Sequence, residues 1–238
     1  MHIISNMQEL SEMQRNYNIY VIMNTTSLED FDDVMRYSMQ NSSMVSAFAG
    51  LHPNSDQDEL EAFTEKMRKN ANSIDGIGEI GLDSRTYSNK QLKVFKAQLE
   101  IAEKLEKPVS IHSRGKVQEI LDILPSFRLR KVLMHWPDCT PSELSRIVQR
   151  GYFVSFGPAT VYSKRLSSLA MQASMESILV ESDSPVKYGA CFLARESNPS
   201  YIVSVIFHIA MIKKVETEFF EDITRKNSIA FLDKSIDM

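Results

Sequence analysis

Residues 92–112 read LKVFKAQLEIAEKLEKPVSIH, and this stretch decides the fold class. Leu92, Phe95, Leu99, Ala102 and Leu105 recur at three- and four-residue spacing, which places them on one face of a helix. The helix must stop near Lys107-Pro108, because proline has no N–H to continue it and disfavours helical geometry in the residue before it. Directly beyond, Val109-Ser110-Ile111 is a short, largely apolar run that leads into His112. An amphipathic helix feeding a short, largely apolar strand points to a parallel sheet covered on both faces.

The same alternation extends in both directions. Strands are predicted at Ile19–Asn24, Val45–Gly50, Gly76–Gly81, Lys131–His135, Tyr152–Phe156 and Ile178–Ser182, with helix-spaced segments between them. Terminal helices are predicted at Tyr201–Ile212 and Glu218–Phe231. Strands separated by helices require crossover connections, so the sheet is parallel. The fragment Met1–Ile4 supplies an eighth, shortened strand. The expectation is an α/β fold, a (β/α)8 TIM-type barrel with a truncated first strand, occupying residues 1–238 as a single domain.

Length and composition agree with this. A chain of 238 residues with 43% hydrophobic and 24% charged residues can bury one full barrel core. The net charge of −4 excludes a protein that coats polyanions through a global field, so nucleic acid would have to be held by local cations or a metal. Two cysteines, Cys139 and Cys191, form no disulfide framework. No apolar run approaches the ~20 residues that span a bilayer, and the opening residues lack the basic and apolar regions of a signal peptide. A cytoplasmic monomer with no membrane association is expected.

Chemistry in such barrels is built at the C-terminal ends of the strands. There the chain carries Gly50-Leu51-His52-Pro53, Gly78-Glu79-Ile80-Gly81-Leu82-Asp83, Ile111-His112-Ser113-Arg114, Met134-His135-Trp136 and Glu181-Ser182-Asp183-Ser184-Pro185. Singly, each has an ordinary structural explanation: a histidine after a strand is usually just hydrogen-bonded, and Asp183 before Ser-Pro suits a turn or a helix cap. Glu79 is harder to explain so, because a carboxylate inside a glycine-rich apolar strand is costly to bury unless a positive partner meets it. Taken together, three of the five histidines and two carboxylates converge on one rim if the strands close in order. That donor set suits a divalent ion such as Zn2+, Mn2+ or Mg2+, and up to two ions if Glu79 bridges them.

At these residues the sequence resembles the TatD family of metal-dependent hydrolases, which are eight-stranded barrels acting mainly as deoxyribonucleases. The resemblance covers nearly the whole chain and includes Glu196-Ser197-Asn198-Pro199 and Thr224-Arg225-Lys226-Asn227-Ser228 beside the five segments above. It implies that Glu79, His112 and His135 bind one metal. Glu79 and Asp183 would help hold a second, with two histidines of an Asp-x-His-x-His motif on strand one. Here the chain opens Met1-His2-Ile3, so His2 stands where the second of those histidines is expected and the preceding Asp-x-His is missing. The expectation is that the missing part precedes this start, the alternative being true loss of one metal site.

The expected activity is metal-dependent hydrolysis of a phosphodiester, in DNA or a small molecule. Glu79 and Asp183 are the expected catalytic carboxylates, with Asp183 as general base, while Arg114 and His52 contact substrate. The alternatives are another hydrolase on the same barrel, such as an amidase or lactonase, and a catalytically impaired barrel acting as an interaction protein. Many amidohydrolase barrels bridge their metals with a carboxylated lysine; no lysine occupies a ligand position here, and Lys187 alone lies near the rim.

Overall fold

A computed structural model describes Glu12 and residues 16–233. The decisive stretch folds as its spacing requires. Helix Asn89–Leu105 begins where the Ser88 side chain accepts the Gln91 N–H, buries Val94, Phe95, Leu99 and Ala102, and ends as Glu106 takes a left-handed conformation with φ 51°. Strand Val109–His112 follows at once, all four of its residues buried.

In chain order the elements are β1 Val21–Asn24, α1 Phe31–Gln40, β2 Val45–Ala49, α2 Leu60–Lys69, β3 Gly76–Gly81, α3 Asn89–Leu105, β4 Val109–His112 and α4 Val117–Ile123. They continue with β5 Val132–Met134, α5 Pro141–Gln149, β6 Phe153–Phe156, α6 Lys164–Gln172, β7 Ile178–Val180, α7 Ile202–Lys213 and α8 Thr217–Leu232. Among the described residues the seven strands form one sheet in sequential order. Each neighbouring pair is parallel. This is the parallel TIM-type α/β architecture expected. The predicted eighth strand, Met1–Ile4, lies outside the described residues.

Side chains on a strand alternate between faces. One set, including Ala47, Ala49, Val109, Ile111, Val132, Met134, Val154 and Ile178, joins the main core with Phe31, Phe63, Phe95, Ile120 and Ile147 of the helices. The alternate set forms a separate cluster in which Phe48, Leu133, Phe153 and Leu179 pack against Phe231 and Leu232 of α8. The ring centroid of Phe231 lies 5.8 Å from that of Phe48 and 5.7 Å from that of Phe153. Two residues further along each chain segment, this second set continues as Gly50, His135, Ser155 and Glu181. An apolar plug is thus followed, in the same register, by polar groups.

Several observed strands are shorter than predicted, while Gly76–Gly81 keeps its predicted bounds and Val109–Ile111 extends by one residue to His112. Lys131–His135 contracts to Val132–Met134, and Ile178–Ser182 to Ile178–Val180. The reason is local: Trp136 has φ 32° and Asp183 has φ 46°, left-handed conformations in which an extended strand cannot continue. His135, Glu181 and Asp183 therefore stand just past the paired ladder. Strand β3 is also interrupted, its register with β4 shifting between Ile77 and Ile80. At the interruption the Glu79 N–H donates to the Thr25 carbonyl oxygen at 3.3 Å. Gly50 lies so near this segment that a Cβ there would sit 2.5 Å from the Gly78 carbonyl carbon.

Candidate metal centre

The loop after β2 is clamped from two sides. The Thr25 hydroxyl donates to the Gly50 carbonyl at 2.9 Å and accepts the Gly50 N–H at 2.8 Å. The buried Gln98 amide of α3 accepts the Leu51 N–H at 2.7 Å and donates to the Leu51 carbonyl at 3.1 Å. One helical face further, Gln91 donates to the Pro53 carbonyl at 3.1 Å and accepts the Asp83 N–H at 3.0 Å. Two side chains of one helix thus fix the loops that carry His52 and Asp83.

These loops and the ends of β4, β5 and β7 bring five of the expected site residues together. Glu79 Oε1 lies 2.9 Å from His112 Nδ1, 3.6 Å from His135 Nε2 and 3.7 Å from His52 Nε2. Asp183 Oδ1 is 3.6 Å from the same His135 Nε2. His52 Nε2 and His112 Nδ1 are 3.4 Å apart. One ligand atom each from His52, Glu79 and His112 falls within 4.8 Å of the others, a spacing compatible with a shared ion. Arg114, half-exposed, reaches Asp83 at 3.6 Å and stands at the edge of the group. His2 lies outside the described residues.

Two carboxylates that had no assigned role stand behind the imidazoles. Asp83 Oδ2 is 3.0 Å from His112 Nε2, and Asp83 itself is fully buried. Glu181 Oε2 is 2.7 Å from His135 Nδ1 and accepts the Ser155 hydroxyl. Both residues occur in the motif segments, and Glu181 stands two before Asp183, the spacing that puts both side chains on one face of an extended chain. Gln91 and Gln98 were equally inconspicuous: their seven-residue spacing placed them on one helical face, but nothing local marked them as buried.

The electrostatics follow from this crowding. Burial pushes the Glu79 carboxyl up, but His135, the His112 hydrogen bond and His52 outweigh it and hold the group at about 2. Burial lowers His52 to about 4, with His112 and His135 acting in the same sense against Glu79. Burial would also lower His135, yet Glu181, Glu79 and Asp183 together carry it well above its ordinary value. Asp183 is raised to about 6 by burial and by the neighbouring Glu181 and Glu79 charges, against the pull of His135.

The donor set fits a divalent cation. Glu79 and Asp183 are acceptor-only when ionised, and their oxygens gather around His112 Nδ1 and His135 Nε2 in a largely buried space, an arrangement that a cation would stabilise. Nitrogen and oxygen donors of this kind suit zinc or manganese.

Comparison with known proteins identifies the family. The chain matches the TatD related DNase family over residues 1–233. The deoxyribonuclease TATDN3 of Homo sapiens is 27% identical over 222 residues, covering 86% of this chain and 80% of that protein. An uncharacterized metal-dependent hydrolase of Methanocaldococcus jannaschii is 28% identical over 191 residues, covering 79% of this chain and 75% of that one. The crystal structure of a TatD homologue from Escherichia coli K12 superposes with a TM-score of 0.87 at 20% identity, covering 99% of this chain and 95% of that one, and shows the fold. No helix among the described residues is long and apolar enough to cross a membrane. With its barrel strands in order and its histidines and carboxylates gathered at their ends, the chain belongs to the TatD related DNase family and is a metal-dependent hydrolase.

Proposed function

We propose that the protein is a phosphodiesterase of the deoxyribonuclease type, a single catalytic barrel acting on a DNA strand end or a small phosphodiester. The observation that carries this reading is the convergence of His112 Nδ1 and His135 Nε2 on one oxygen of Glu79, at 2.9 and 3.6 Å, with Asp183 Oδ1 3.6 Å from the same His135 Nε2. Glu79, His112, His135 and Asp183 would hold the cation, and His2 belongs to the expected set for a second one. A divalent ion at this place supplies Lewis-acid polarisation of the phosphoryl group and increases the acidity of the attacking water.

The chain's own residues then divide the remaining work. Asp183, whose Oδ1 stands at the centre 3.6 Å from His135 Nε2, is the carboxylate placed to accept the proton of the attacking water. His52 has its Nδ1 occupied as acceptor of the Asn54 N–H at 3.1 Å, so its neutral form carries a proton on Nε2 and donates it toward a phosphoryl oxygen. Arg114, half-exposed and aligned by Asp83, offers a charge-assisted bond to a second phosphate oxygen. The carboxylated-lysine alternative finds no support, since Lys187 is 64% exposed and faces Glu196 at 3.6 Å.

The test is release of nucleotides from DNA oligonucleotides by the purified protein with magnesium, manganese, zinc or cobalt. Activity is expected with at least one ion, and Glu79→Ala is expected to lower kcat/KM by about a thousand-fold, as loss of several kcal/mol of transition-state stabilisation implies. Absence of activity with every ion, or full activity of Glu79→Ala, overturns the proposal.

A further inference from the structure

Three imidazoles surround Glu79, and each has one ring nitrogen committed elsewhere. His112 Nε2 faces Asp83 at 3.0 Å, and His135 Nδ1 faces Glu181 at 2.7 Å. His52 Nδ1 instead accepts the Asn54 backbone N–H at 3.1 Å. An ionised carboxylate only accepts hydrogen bonds, so the nitrogen it faces carries the proton; a nitrogen that accepts an N–H has spent its lone pair.

Both carboxylates are themselves anchored. Asp83 Oδ1 accepts the Arg85 N–H at 2.9 Å, while its other oxygen faces His112 and Arg114. Glu181 Oε2 accepts from the Ser155 hydroxyl as well as from His135. His112 lies between two carboxylates, but they are not equivalent. Glu79 sits where three imidazoles converge, whereas His112 is the one imidazole that Asp83 meets. A cation among the converging atoms takes over the Glu79 charge and leaves Asp83 paired with His112.

From this we infer that Asp83 and Glu181 are positioning residues that fix the tautomer and orientation of the two ligating histidines, so that His112 ligates through Nδ1 and His135 through Nε2. His52, although within reach, is kept out of the coordination sphere by the Asn54 N–H and presents its proton to substrate. The fold thereby sorts three neighbouring imidazoles into two ligands and one donor, using only what stands behind each ring. The inference rests on the metal reading of the centre proposed above. Carboxylates behind metal-bound histidines raise ligand basicity, and their loss typically costs 10–100-fold in metal affinity.

The experiment uses the full chain labelled with 15N-histidine and loaded with zinc, observed through long-range proton–nitrogen correlations of the imidazole rings. The expected spectra show a protonated Nε2 and zinc-bound Nδ1 for His112, the opposite pair for His135, and no zinc-bound nitrogen for His52. Zinc affinity, measured by competition with a chelator, is expected to fall about 10–100-fold in Asp83→Ala and Glu181→Ala. Glu181→Gln is expected to recover most of the loss, because its amide oxygen can still accept from both Ser155 and His135. Ligation of His112 through Nε2, or of His52 at all, overturns the inference, as does unchanged zinc affinity in both alanine variants. Should those variants fail to fold, the wild-type spectrum decides alone. If the wild type binds no zinc, the metal reading itself falls and takes this inference with it, whereas zinc on the wrong nitrogens removes only the inference.

Discussion

His52 shows how strongly a single environment can redirect a residue. Its ordinary value is 6.5 and burial brings it to about 4 in the folded chain. Between those values the unfolded chain holds more protons than the folded one, so stability falls as pH is lowered from 6.5 to 4 and is fully present above 6.5. Over the whole interval the contribution is on the order of 3 kcal/mol. In metal-free protein, the urea midpoint of wild type is expected to drop more between pH 7 and pH 4.5 than that of His52→Gln; parallel losses would refute the assignment. His135 behaves oppositely: its raised value stabilises the folded chain at low pH, and that support is lost as pH rises through it. The sequence showed these residues as candidates, because a histidine at a strand end is visible in a string of letters. It did not show Asp83 and Glu181 as their partners, since pairing between residues 29 and 46 positions apart depends on which strands become neighbours.

Among the elements, α3 and the β2–β3 contact carry the site. The amphipathic pattern of α3 and its end before Pro108 were legible because both follow from local spacing. The places of Gln91 and Gln98 were not, because polar side chains on a helix are ordinarily solvated and only the folded loops reveal that backbone groups of Leu51, Pro53 and Asp83 need them. Strand ends were overread for a similar reason: an apolar run does not announce the left-handed residue that stops it. At the β2–β3 contact, Gly50→Ala would press a methyl group to 2.5 Å from the Gly78 backbone. Such overpacking costs about 1–3 kcal/mol. A lowered melting temperature is expected together with reduced activity, because the displaced segment leads directly into Glu79. A neutral Gly50→Ala variant would show that β2 and β3 can separate without consequence.

For the whole molecule, the metal is a ligand of the folded state. At about 100 times its dissociation constant, zinc should stabilise the protein by roughly 2.7 kcal/mol. For a chain of this size that corresponds to a rise of about 5–10 °C in melting temperature. The shift is expected to vanish in Glu79→Ala, and its persistence there would place the ion elsewhere. The global architecture was readable from alternation alone, since helices between buried strands leave few topologies open. The division of the sheet's second face into an apolar plug and a polar rim was not, because continuous apolar strands conceal which alternate residues face inward.

That division also governs how such a chain can change length in evolution. Leu133 and His135, like Leu179 and Glu181, share one side of their segments because two residues separate them. Loss or gain of one residue between plug and rim turns the rim side chain away from its partners, so single-residue length changes there are incompatible with a working centre. Insertions are expected only in the stretches after Trp136 and Asp183, where the backbone has already left the strand. Variation among related chains should therefore collect on the rim loops, giving the family freedom over what it admits while the distance from plug to rim stays constant.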